Sequence, residues 1–199
     1  MDDYFSDNSG GSSPESNKWS ERAWLDYVRR SEKEIERIAN LYDKTRKNGT
    51  GFEEVAASAG WPIVYSNSEI VPAEMPEFSK EPLTLINHPI YIVSRAIMRV
   101  LEHNIAELVS ISPASPQQVW NMARAVHEAS DLIMLAVNST DLGEDMLAHS
   151  IYKSAISCLN SALAEIENIA EHRDASANSA RDKAITAIFD LRQICLNIS

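Results

Sequence analysis

Read for hydrophobic period, the chain is dominated by its last hundred or so residues. From about His88 apolar side chains recur every three or four positions, through Ile90, Val93, Ile97, Leu101 and Leu108, then Val119, Met122, Val126, Ile133 and Val137. The same spacing continues through Leu147, Ile151, Ala155, Cys158, Ala162 and Ile166, and again through Ala184, Ile188, Leu191, Cys195 and Ile198. That is the period of α-helices with one buried face. The runs are separated only by Ser112-Pro113-Ala114, by Ser139-Thr140 and by the stretch from about His172 to Asp174. Connections so short turn each helix back along the one before it. The pattern predicts an all-α fold, an up-down-up-down four-helix bundle over about 88–198, with residues 88–199 as its domain.

Local punctuation agrees with the period. Asn87 precedes Pro89 at a helix start, and Ser115-Pro116-Gln117-Gln118 sets an N-cap, a first-turn proline and a capping-box glutamine in a row. Asp141-Leu142-Gly143-Glu144 repeats that spacing with Asp as the cap, and Asp174 or Ser176 is placed to cap the last helix.

Upstream, residues 1–13 are polar and read as a disordered tail. Ser13-Pro14 predicts the start of a long amphipathic helix over 14–47, with the stripe Trp24, Val28, Ile35, Ile38 and Tyr42, ended by Asn48-Gly49. In 48–87, Thr50 and Glu53 have capping-box spacing before a short helix that Gly60 and Trp61-Pro62 should stop near Ala59. Beyond it Pro72, Pro76 and Pro82 forbid a long helix. This connector holds six glutamates against one lysine, yet also Ile70, Val71, Met75, Phe78, Leu83 and Leu85. So many apolar residues predict an ordered, acidic, Pro-rich crossover lying on the bundle, the whole forming one structural domain.

Composition narrows the choice of partner. A net charge of −11 argues against nucleic acid and against an anionic membrane surface. Leu132 to Val137 is typical of the longest apolar runs, far short of the roughly 18 residues of a membrane span. Residues 1–13 also lack the apolar stretch of a signal peptide. Cys158 and Cys195 both fall on helical stripes and read as buried thiols, so a cytoplasmic protein is expected.

Candidate chemistry adds little. Helical bundles often house a two-metal carboxylate site built on Glu-x-x-His, but no glutamate of the bundle has His three positions on. His103, His127 and His149 each have a carboxylate four positions away, in Glu107, Asp131 and Asp145, yet all three fall on the outer flanks of their helices. They read as solvated pairs. His127-Glu128 lacks the following proline of a histidine-kinase phosphoacceptor motif, and no phosphate loop or nucleophile arrangement is present. No catalytic residue, metal site or cofactor is expected.

Two features do suggest interaction. Leu132 and Leu135 point away from the Val126-Ile133 face of their helix, and the N-terminal stripe also needs cover. Trp24, Val28, Ile35, Ile38, Leu132 and Leu135 are therefore the candidate interaction surface. Either the N-terminal helix covers the leucines within the chain or a second copy does. Asn104, central on its apolar face, is expected to be buried and bonded to another helix or to a water. Glu165 and Arg181 should meet across a hairpin as an ion pair. The sum is a non-catalytic interaction or scaffold protein that pairs with itself, as a homodimer, or with another protein. The alternative is an enzyme or small-ligand binder, its pocket between the bundle and the 61–87 crossover beside Trp61 and Tyr65.

Overall fold

The computed structural model describes residues 19–47, 52–60, 84–112, 114–169 and 175–198. Of these 90% are helical, and none lies in a strand. The helices are α1 (Glu21–Lys47), α2 (Glu53–Ser58), α3 (Pro89–Ile111), α4 (Pro116–Asp141), α5 (Asp145–Glu167) and α6 (Ala175–Ile198), with a 3₁₀ turn at Leu85–Asn87 before α3. The predicted tail and most of the crossover, 61–83, lie outside the described residues, as does the predicted helix start at Ser13-Pro14.

Helix ends follow the local chemistry, with three corrections. Ser115 caps α4 as expected: its Oγ accepts from the Gln118 N–H at 3.2 Å, and Gln118 Oε1 accepts from the Ser115 N–H at 3.0 Å. The described part of α1 starts later than expected, because Ser20 takes the cap position and its Oγ accepts from the Ala23 N–H at 3.2 Å. Phe52, without a side-chain bond, is the N-cap of α2, while Thr50 lies outside the described residues. Asp141 does not cap α5; it closes α4, and the chain reverses through Leu142 and Gly143 to Glu144. Gly143 makes that possible at φ +76°, a left-handed conformation costly for any side chain. α2 stops before Gly60, at φ +84°.

One apolar core runs through the molecule. α3 is at its centre, packing on α1, α4 and α6, while α4 and α5 form the most extensive pair and α5 also meets α6. Val93, Ile97, Met98 and Leu101 of α3, Met122 of α4, Leu159 and Ile166 of α5 and Ile188 and Leu191 of α6 are all essentially inaccessible. Burial of this apolar area is the main force holding the helices together.

α1 differs from expectation in the face it buries. Ile35, Ile38 and Tyr42 are in the core, but the stripe continues upstream through Ser31 and Tyr27 rather than through Val28 and Trp24. Two bonds to the 3₁₀ turn explain the rotation. Ser31 Oγ donates to the Ile86 carbonyl at 2.6 Å, and the Tyr27 hydroxyl meets Thr84 Oγ1 at 2.6 Å. Further along, Glu32 pairs with Arg99, and Lys47 shares a cavity with Glu107. α1 therefore runs beside α3 in the same direction and does not cover Leu132 or Leu135 of α4.

Candidate functional site

Polar chemistry gathers where the C-terminal half of α1 approaches α6. Tyr42 and Arg46 are one helical turn apart, so ring and guanidinium share a face, with the guanidinium carbon 5.8 Å from the ring centroid. Opposite them on α6 is Asp190, 6% exposed within the stripe Ala187, Leu191 and Ile194. Its Oδ2 accepts from the Tyr42 hydroxyl at 2.5 Å and from Arg46 Nε at 2.8 Å, and its Oδ1 accepts from the other arm of the guanidinium. Burial raises the Asp190 carboxyl above its usual range, and the Arg46 and Tyr42 bonds pull it back. Burial, reinforced by the neighbouring Asp190 charge, pushes the Tyr42 phenol far up. For Arg46 burial works against the charge, but the bond and charge of Asp190 prevail and its pKa rises.

Beside this network is a cavity of about 670 Å³ between α1 and α6, floored by Val100 of α3 and bordered by Asn178, Ser179 and Lys183. A second cavity of about 370 Å³ continues it toward Arg99, His103, Asn104 and Glu107, and the two share Asp43, Lys47, Val100 and Lys183. Together they form a long cleft along the seam of α1, α3 and α6. Most of its charges are already matched: Arg46 with Asp190, Lys47 with Asp43 at 2.5 Å, and Arg99 with Glu32. Away from this cleft, a third hollow of about 540 Å³ between α3 and α4 is almost wholly apolar, lined by Ile105, Val109, Val119 and Val126 with Glu102 and His127 at its rim.

The residues singled out by sequence separate into core and surface. Ile35 and Ile38 are buried against the core; Trp24 and Val28 are 41% and 45% exposed; Leu135 is half-exposed; Leu132 packs partly buried on the core. Asn104 is 2% exposed, but its amide does not reach another helix. Its Nδ2 donates to the Val100 carbonyl at 2.7 Å, one turn back on α3. Glu165 and Arg181 do not pair with each other. Glu165 accepts from Asn121 Nδ2 of α4 at 2.8 Å, while Arg181 reaches the closing carbonyls of α5, at Ile166 and Glu167, both 3.5 Å away. Helix-end carbonyls stand where the Glu165 carboxylate was expected. His127 lies 3.9 Å from Asp131 and is largely exposed, and His103 borders the smaller cavity. Among the described residues no cluster of three or more His, Cys, Asp or Glu side chains is placed to hold a metal ion. Trp61 and Tyr65, the walls of the alternative pocket, lie outside the described residues.

Sequence reasoning missed Tyr42, Arg46 and Asp190 as a group, because 144 positions separate the two charges. The available signal was a lone aspartate on the buried stripe of α6. No family model matches this chain, and neither a curated protein nor a solved structure matches it.

Proposed function

We propose that this is a non-catalytic, self-associating interaction protein of the cytoplasm, an up-down-up-down bundle of α3 to α6 with α1 added as a fifth helix. The observation that carries the reading is the double-sided start of α1. Tyr27 on its inner side is buried, while Trp24, Leu25 and Val28 on its outer side are 41%, 50% and 45% exposed. Trp19, Trp24 and Tyr27 pack against one another with ring centroids 5.1 to 5.8 Å apart, both tryptophans edge-to-face on the Tyr27 ring, so the exposed aromatic surface is anchored to a buried residue. The 3₁₀ turn bonded to Tyr27 leads into His88, whose Nε2 lies 3.4 Å from Asp141. That contact brings the α4–α5 turn to the same end of the molecule, with Leu142, Met146 and Leu147 exposed on it. Clustered apolar side chains at one end are the mark of a protein-binding surface. A location in the cytoplasm accords with two cysteines that are both free, and no helix of the described residues is long and apolar enough to cross a membrane.

The test is the mass of the protein in solution, by light scattering, for wild type and for Trp24→Ser/Val28→Ser. A concentration-dependent oligomer is expected for wild type and a monomer of unchanged helicity for the variant. A wild type monomeric at about 100 μM, a concentration at which a pair of micromolar Kd is mostly formed, would overturn the proposal, and so would an oligomer that both substitutions leave intact.

A further inference from the structure

Asn104 needs a reason to be where it is. A buried amide on the inner face of a helix usually fixes register by bonding across to a neighbour. Here the single bond runs back to Val100 on the same helix, and no described residue of α1 or α6 takes the remaining donor or the Oδ1 acceptor. The side chain instead borders the 370 Å³ cavity. Lys183, half-buried, lines that cavity and the larger one, and it makes no ion pair with any described residue. With Arg46, Lys47 and Arg99 already matched to carboxylates, Lys183 is the uncommitted cation of the cleft among the described residues. The uncommitted carboxylates there are Asp182 and Glu107, the latter accepting only a 3.3 Å bond from the Ser176 hydroxyl.

A ligand that satisfies these groups must carry both signs of charge. A phosphate or a dicarboxylate would reach Lys183 but face Glu107 and Asp43, and a simple cation would leave the half-buried Lys183 without a partner. An amide between the two poles offers one donor and one acceptor. We propose that the seam of α1, α3 and α6 binds a small zwitterion of the amino-acid type. Its carboxylate meets the Lys183 ammonium and the free Asn104 N–H, and its ammonium turns toward Glu107 and Asn104 Oδ1. The larger cavity, against Tyr42 and Val100, takes the side chain. Its volume lies within the range of small-molecule sites. This cleft is at the far end of α1 from the exposed Trp24–Val28 surface, so the proposal does not depend on self-association.

The experiment is thermal unfolding of the full chain with each of the twenty standard amino acids, and with acetate, inorganic phosphate and ethylammonium as single-charge probes. At about a hundredfold excess over Kd, the amino acid that fits should raise Tm by about 5–10 °C. Its N-acetyl derivative and its methyl ester, each lacking one charge, should bind at least about tenfold more weakly, as should the variants Lys183→Gln and Asn104→Leu. Lys183 is partly solvent-facing, so its variant tests binding even if replacing Asn104 disturbs folding; circular dichroism checks both. The proposal fails if no amino acid shifts Tm, if the shift is as large in Lys183→Gln as in wild type, or if acetate or phosphate binds as well as any amino acid. It also fails if Asn104→Leu alone stabilises the protein while no amino acid acts, for then an ordered water satisfied the amide.

Discussion

Asp190 carries the sharpest energetic consequence of any single side chain described. A buried carboxylate bonded by a guanidinium and a phenol is tolerable only while those bonds last. Arg46→Met should therefore cost about 3–5 kcal/mol in urea unfolding at pH 7, and Arg46→Met/Asp190→Leu should recover most of that. Equal losses in the single and double variants would show that the pair matters only through packing. The pH dependence has a defined sign. A carboxyl raised by burial gives stability that is full below its unfolded pKa and lost as pH rises through the folded one. Without Arg46 the carboxyl should climb further, so the variant's deficit should shrink on acidification through the carboxylate range. At the alkaline end Cys195 and Tyr152 act in the same sense. Burial pushes the Cys195 thiol from 9.0 up to about 12, and burial, helped by Cys195 nearby, pushes Tyr152 from 10.0 up to about 12. Both are protonated and neutral in the fold, so stability should hold to pH 9 and then fall. Ionisation of Cys195 in the unfolded chain alone should make stability fall steadily from pH 9 toward 12. Cys195→Ala should lower stability at pH 7 through the space it leaves, yet flatten the decline above pH 9. Denaturant titrations at a series of pH values measure both.

Helix ends show where local chemistry decides and where it is overruled. Ser115 and Gln118 exchange both capping bonds, so Ser115→Ala should destabilise the protein by about 1 kcal/mol. Gly143 has open space around its Cα but a φ of +76°. Gly143→Ala should therefore cost about 1–2 kcal/mol by backbone strain alone, and Gly143→Asn clearly less; equal unfolding midpoints for the two variants would contradict that account. The same glycine explains the misread cap. Asp141 has capping-box spacing, but a left-handed residue two positions on lets α4 run to Asp141 before the chain turns. α1 was misread for a different reason. Its period was legible, whereas its inward face depends on Ser31 and Tyr27, polar groups that a count of apolar positions leaves out. Only the carbonyl of Ile86 and the hydroxyl of Thr84, more than fifty residues away, make that face the buried one.

For the molecule as a whole, the all-helical fold could be read from the 3.6 period, because each helix carries its own stripe and most carry recognisable ends. The cleft could not. Asn104, Lys183, Asp190 and Arg46 come from three helices, and no spacing within one helix reveals which charges are already paired. Net charge, by contrast, is read directly, and it bears on the self-association proposed above. Two copies at −11 repel, while the Trp24, Leu25 and Val28 surface attracts by apolar burial. Repulsion between exposed charges is screened over about 30 Å at 0.01 M salt but only about 3 Å at 1 M, and apolar burial is not weakened by sodium chloride. Association should therefore tighten with salt. In sedimentation equilibrium at fixed protein concentration, the weight-average mass of wild type should rise as sodium chloride goes from about 0.02 to about 0.5 M, and Trp24→Ser/Val28→Ser should stay at the monomer mass throughout. A mass that falls with salt would mean that ion pairs hold the copies together and that the apolar end of α1 is not the contact.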